Sequence, residues 1–291
     1  MDLREYDRTQ QSITARFAAL FLRMLAPFRA PRLNEFGWAS LLRNTYPEVE
    51  RARRESAQLG RMFYDSQREH YVGSRHPVDL ASYDFDWYVE AMEPSKKALK
   101  SPGTTDGAVS QAVLRAVKEV ENGGRKTILR PVIDEDDEIR DRQVKGWARV
   151  ATGRETCSFC LMLVSRGPVY FSAEDAGLDL DDTSARELIA DGEDKALAEA
   201  MKRWHPGCDC KVVPVFDRRS WPGRDAYLEA EQLWIKYAKL VNDNPDMRKP
   251  MTGNQHKPMD REWTRGEAIM AALRRALESG EVNPRDFAAA A

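Results

Sequence analysis

The chain has 291 residues, 42% of them hydrophobic and 32% charged, enough apolar material for one or two cores and too much for a disordered chain. Its 45 Lys and Arg against 47 Asp and Glu leave a net charge of −2, so no global basic character marks a nucleic-acid binder. No run reaches the roughly 18 apolar residues of a membrane span, and Asp2, Arg4, Glu5, Asp7 and Arg8 do not read as a secretory signal, so synthesis in a cytosol is expected.

The first element reads as an amphipathic helix. Ile13, Phe17, Leu20, Phe21, Met24 and Phe28 recur at steps of three and four, and Pro27 and Pro31 end the pattern. Such a stripe ordinarily packs into a core; a partner-docking face is the alternative. A second, densely charged and mostly solvated helix is expected from near Pro47 to about Tyr71, weakened at Gly60. Gly73 to Ser82 reads as a loop. Asp84 to Met92 reads as a short aromatic helix stopped by Pro94, and Ser101 to Thr105 as a turn. A further helix carries Val109, Val113, Val117 and Val120 on one face, with Asn122-Gly123-Gly124 as its stop.

Thr127 to Ile133 suggests a short edge strand, because Pro131 forbids a central one. The acidic run Asp134 to Glu138 suggests a helix start leading to Ile139, Val144 and Trp147. Two β-like runs follow, Val169-Tyr170-Phe171 and Val212 to Phe216, with a helical stretch from Ser184 to Arg203 between them. Beyond them, Ala230, Trp234, Tyr237 and Val241 share a helix face. Pro245 to Pro258 is a polar linker, and Ile269, Leu273, Ala276 and Leu277 form a last stripe.

All four cysteines fall between positions 157 and 210. Cys157 and Cys160 form a C-x-x-C pair, and His205, Cys208 and Cys210 supply a second half. Zinc prefers four tetrahedral ligands drawn from thiolate sulfur and imidazole nitrogen, and both halves offer these at usable spacing. Five candidates compete for four places, so one thiol or His205 stands outside the ligand set. Four protein ligands would leave no open position for a substrate, which points to a structural ion. The alternatives are unliganded thiols, a redox pair, and disulfides. From Lys145 to Phe216 there are 9 Lys and Arg against 12 Asp and Glu, the wrong sign for phosphate contacts.

Signs of catalysis are sparse. There is no H-E-x-x-H, no G-x-S-x-G and no phosphate loop. A serine protease would need a serine and a base brought together; Ser110 with His76 could do that in principle, and nothing local supports the pairing.

The run from Trp147 through Arg154 to Cys157-Ser158-Phe159-Cys160, followed by His205-Pro206-Gly207-Cys208-Asp209-Cys210, resembles the MuF-like family of phage minor head proteins over about a quarter of the chain. The helical N-terminal and C-terminal regions depart from that pattern and look most like the actinobacteriophage version, often labelled a capsid maturation protease. The resemblance implies a minor capsid protein acting in head morphogenesis. Its partners would be portal, scaffold and major capsid proteins, and it would meet nucleic acid only through proximity to the packaged genome. It would sit in the host cytoplasm during assembly and then inside the procapsid or virion; a maturation protease is the alternative function. The expected fold is mostly α, with a small zinc-stapled α+β module. Helices 1–124 would precede a Cys/His module at 125–220, and a helical region at 221–291 would follow.

Overall fold

The computed structural model describes residues 1–28, 33–77, 80, 82–101, 106–134, 136, 138–154, 156–170, 204–249 and 262–289. The chain divides into two compact units. One comprises 1–147, 202–208 and 212–218; the other comprises 148–201, 209–211 and 219–291. Among the described residues helices dominate, and the strands form a three-stranded sheet.

The first unit is built on four helices. In α1 (Leu3–Leu25) the Asp2 side chain accepts the Glu5 N–H and caps the start. Ile13, Phe17 and Phe21 are buried and Leu20, Met24 and Phe28 half-buried, so the apolar stripe faces this unit's own core. Tyr6 stacks on Phe63 of α2 (Glu35–Val72), with ring centroids 4.6 Å apart. Capped by Asn34, that second helix starts at Glu35, twelve residues before the expected Pro47 start, and ends at Gly73, whose φ of +82° suits glycine. Nor is it mostly solvated. Trp38, Leu41, Leu42 and Thr45 are buried before Pro47, and Val49, Ala52, Phe63 and Tyr64 after it. Packing on both sides of the proline outweighs the one backbone bond that it removes.

The same correction applies twice more. Helix α3 (Phe85–Lys100) continues through Pro94, with Met92, Ser95 and Leu99 buried around it. Helix α4 (Asp106–Ile133) runs through Gly123-Gly124, which therefore do not stop it, and 127–133 is helix rather than strand, with Pro131 in its last turn. The glycines are instead places where α2 and α4 touch backbone to backbone. Ser56 ties three helices together: its hydroxyl donates to Gln10 Oε1 at 2.7 Å and accepts the Gly124 N–H at 3.1 Å. No helix follows the acidic run. Ile139 and Arg140 donate to the Asp136 carbonyl in a turn, and Trp147 lies in a strand.

Asp141 anchors that turn against the C-terminal half of α2. Its carboxylate accepts from Arg68 Nε at 2.5 Å, Tyr64 Oη at 2.9 Å and the Gln143 N–H at 3.0 Å. Burial pushes this carboxyl up, but the Arg68 guanidinium, the Gln143 N–H and the Tyr64 hydroxyl outweigh it and hold Asp141 below the usual carboxylate range. A depressed carboxylate contributes stability above its unfolded pKa and loses it as pH falls through the folded value. Asp141→Asn is therefore expected to cost about 3 kcal/mol at neutral pH, because it leaves the Arg68 cation without its carboxylate. It should also flatten the loss of stability below about pH 4. Urea titrations of both proteins from pH 3 to 7 check this; parallel acid limbs would assign that limb to other carboxylates.

In the second unit, α5 (Ser158–Val164), α6 (Arg224–Asp243) and α7 (Arg265–Ser279) share one core. Leu161 and Val164 pack with Ala230, Tyr237 and Val241 of α6 and with Ile269, Leu273 and Ala276 of α7. Both C-terminal stripes expected from the sequence thus face inward, with Trp234 and Leu277 partly buried beside them. Thr264 and Glu267 close a capping box at the start of α7.

The sheet runs in the order β2 (Val169–Tyr170), β1 (Gly146–Val150), β3 (Lys211–Val215). Every residue of β1 and β3 is buried. The expected helix from Ser184 to Arg203, Phe171 of the first β-like run and linker positions 250–258 lie outside the described residues.

Candidate metal centre

The first cysteine half begins at a turn. Gly153 adopts a φ of +79°, and its N–H donates to Thr156 Oγ1 at 3.2 Å. The extended Cys157 that follows caps α5, accepting the Cys160 N–H on its sulfur at 3.5 Å. One helical turn later Cys160 points inward and is fully buried, because Leu161 and Val164 anchor the same short helix in the core. The two sulfurs lie 3.6 Å apart.

The second half is also a turn. The Cys208 N–H donates to the His205 carbonyl at 3.1 Å, and Gly207 between them has a φ of +81°. His205 Nδ1 lies 3.0 Å from the Pro206 carbonyl; with the proton placed there, the ring's lone pair is on Nε2. Cys208 and Cys210 are buried, and the chain then enters β3.

Two residues outside both motifs hold this half in place. Arg125 of α4 is 1% exposed and donates to the Cys208 carbonyl at 2.8 Å and to Glu121 at 2.9 Å. Its guanidinium also lies 5.2 Å from the centre of the Trp204 ring. Thr152 donates to the Asp209 carboxylate, fixing the residue between the two cysteines. Sequence reasoning passed over Arg125, and its one signal was a basic residue next to the Gly123-Gly124 pair.

All five candidates are brought together in two overlapping groups. Cys157, Cys160 and His205 form one, and Cys160, Cys208 and Cys210 form the other; within each group the ligand atoms lie within 4.8 Å of one another. Cys160 belongs to both. Four sulfurs placed tetrahedrally at about 2.3 Å from a zinc ion would stand about 3.8 Å apart, so the Cys157–Cys160 separation of 3.6 Å already suits two ligands of one ion. The first group lies nearer solvent, since Cys157 and His205 are half-buried; the second is fully buried. The donors are soft sulfur and imidazole, which suit zinc and do not suit magnesium or calcium.

The other sequence candidates have separate partners. Ser110 donates to the Asp106 carbonyl at 2.8 Å and His76 pairs with the Ile139 carbonyl at 2.7 Å, so neither uses the other. His70 packs edge-on against Tyr71, and His256 lies outside the described residues. Among the described residues no helix is long and apolar enough to cross a membrane.

Fold and site together define a mostly helical protein with a small sheet and a Cys/His cluster. The chain belongs to the VG15 protein family, whose model matches residues 1–237 and so spans the whole cluster. It is similar to the Gene 15 protein of Mycobacterium phage L5, at 38% identity over 307 residues that cover 100% of both chains. It is also similar to the Gene 15 protein of Mycobacterium phage D29, at 40% identity over 284 residues, 95% of this chain and 96% of that one. No solved structure matches. Membership in a family with bacteriophage members agrees with the phage kinship expected from the two cysteine motifs.

Proposed function

We propose that the chain is a phage head-assembly protein, a minor capsid component of the MuF-like kind, whose Cys/His cluster holds one structural zinc ion. The convergence of the 157–160 and 205–210 segments, about fifty positions apart in sequence, carries the reading. Cys160 is its central ligand, joined by Cys208, Cys210 and one of Cys157 and His205. Zinc there would supply crosslinking free energy between the two cysteine-bearing segments, and no chemistry on a substrate. The four helices of the first unit would offer surfaces to portal, scaffold and major capsid proteins. The chain would work in the host cytoplasm during assembly and then inside the procapsid or virion, near DNA without gripping it.

Elemental analysis of the native chain is expected to give about one zinc per molecule, as a four-ligand site requires; metal-free folded protein would remove the staple. Arg125→Lys should lower zinc affinity about tenfold by loosening the Cys208 turn, measured by competition with a chromogenic chelator. For the assembly role, a phage lacking this gene should accumulate aberrant or unfilled heads beside normal tails. Normal DNA-filled heads from the deletion would sink that role, and cleavage of scaffold or capsid by the pure chain would favour a protease instead.

A further inference from the structure

We propose that Cys157 is the peroxide-reactive sulfur and that Cys160 resolves it, so that oxidation closes a Cys157–Cys160 disulfide. Cys157 is the one half-buried member among the four thiols; Cys160, Cys208 and Cys210 are buried. It also lines an open surface depression of about 480 Å³, together with Phe159, Arg274, Leu277 and Glu278. A small neutral oxidant can enter a space of that size, and Cys157 is the only thiol lining it.

The Cys160 N–H donates to the Cys157 sulfur at 3.5 Å, which fixes that sulfur at the start of the helix. The resolving sulfur is already in place. From 3.6 Å the two sulfurs need to close by about 1.6 Å to reach a disulfide bond length.

The steps balance. Cys157 S⁻ attacks one oxygen of a hydroperoxide, the O–O bond breaks, and hydroxide or alkoxide leaves while the sulfur becomes a sulfenic acid. Cys160 S⁻ then attacks the Cys157 sulfur and expels hydroxide, which takes a proton and departs as water. Two thiolates give up two electrons, and the peroxide accepts them. The consequence for the metal rests on the zinc reading. Cys160 belongs to both ligand groups, so a disulfide withdraws a ligand from each, and the ion is released.

The test treats the full native chain with hydrogen peroxide, traps remaining thiols and maps disulfides by mass spectrometry without reduction. Zinc release is followed in parallel with a chromogenic chelator. A Cys157–Cys160 disulfide forming in step with release, and reversed by dithiothreitol, is the expected result. First oxidation at Cys208 or Cys210, or Cys157 passing to sulfinic acid with no disulfide, overturns it. So that the outcome does not depend on the folding of thiol variants, a second measurement uses the unaltered chain. Iodoacetamide should label Cys157 at least about tenfold faster than Cys160, and equal rates count against the proposal. A disulfide in a chain that never held zinc would keep this inference and sink the metal reading; zinc release with no disulfide would do the reverse.

Discussion

Replacing Cys160 with serine is expected to empty the cluster and lower the melting temperature by about 10 °C. The size follows from its position. Cys160 is the only residue shared by the two ligand groups, and it is fully buried on a helix of seven residues. Serine keeps the shape and removes the soft donor that joins the two groups, so the proposed set of four falls to three, and a three-ligand site holds zinc far less tightly than a closed one. Binding free energy in a structural site is folding free energy, and a loss of about 4 kcal/mol shifts a unit of this size by about 10 °C. Cys157→Ser should do less, because Cys157 belongs to one group and is half-buried. A chelator should lower the melting point of the parent chain and leave that of Cys160→Ser unmoved. A Cys160→Ser protein that retains one zinc and melts with the parent would remove the shared-ligand arrangement.

The cluster was legible because ligand chemistry is local in type and strict in spacing. Cys157 and Cys160 with two residues between them, then His205, Cys208 and Cys210, present few ways to satisfy a soft cation. What stayed hidden is the support around them. Arg125 lies 83 positions from Cys208, and nothing in its neighbours announces a bond to that carbonyl. The overlap of the ligand groups on Cys160 was equally unreadable, since spacing alone treats the members of a C-x-x-C pair alike. Burial separates them: Cys157 caps the helix at its open end, and Cys160 turns into the core.

Apolar periodicity read the helix faces of α1, α6 and α7 correctly, while proline and glycine misplaced the boundaries. Pro47, Pro94 and Pro131 all lie inside helices. Punctuation rules describe a helix standing alone in water, where one lost bond and a steric clash decide the matter. In α2 the residues on both sides of Pro47 are buried, and their packing favours continuation. Strand β1 was missed for the opposite reason. A strand buried on both faces does not alternate, so Gly146 to Val150 carries no period-two signal.

Gly123→Ala is expected to destabilise the first unit by about 3 kcal/mol, although alanine is the better helix former. Helix propensity alone favours the change by about 1 kcal/mol. The tertiary position reverses the sign. A Cβ on Gly123 would stand 2.3 Å from the Arg53 carbonyl oxygen and 2.8 Å from the Arg53 Cγ. Neither neighbour gives way freely. The carbonyl is α2 backbone, and the Arg53 side chain is held by the Glu119 carbonyl and by the Tyr83 ring 4.1 Å away. Relief requires the two helices to separate, which reopens packing along α2 and α4 and strains the Ser56 bridge to Gly124. Gly60→Ala should behave alike, since its Cβ would meet the Gly124 carbonyl oxygen at 2.7 Å. Gly266, in the first turn of α7, has nothing within 4 Å of an added Cβ, so Gly266→Ala should be neutral or stabilise by up to about 1 kcal/mol. Denaturant melts of the three variants separate the terms. Equal, small effects at Gly123 and Gly266 would mean that α2 and α4 do not approach as closely as their glycines allow.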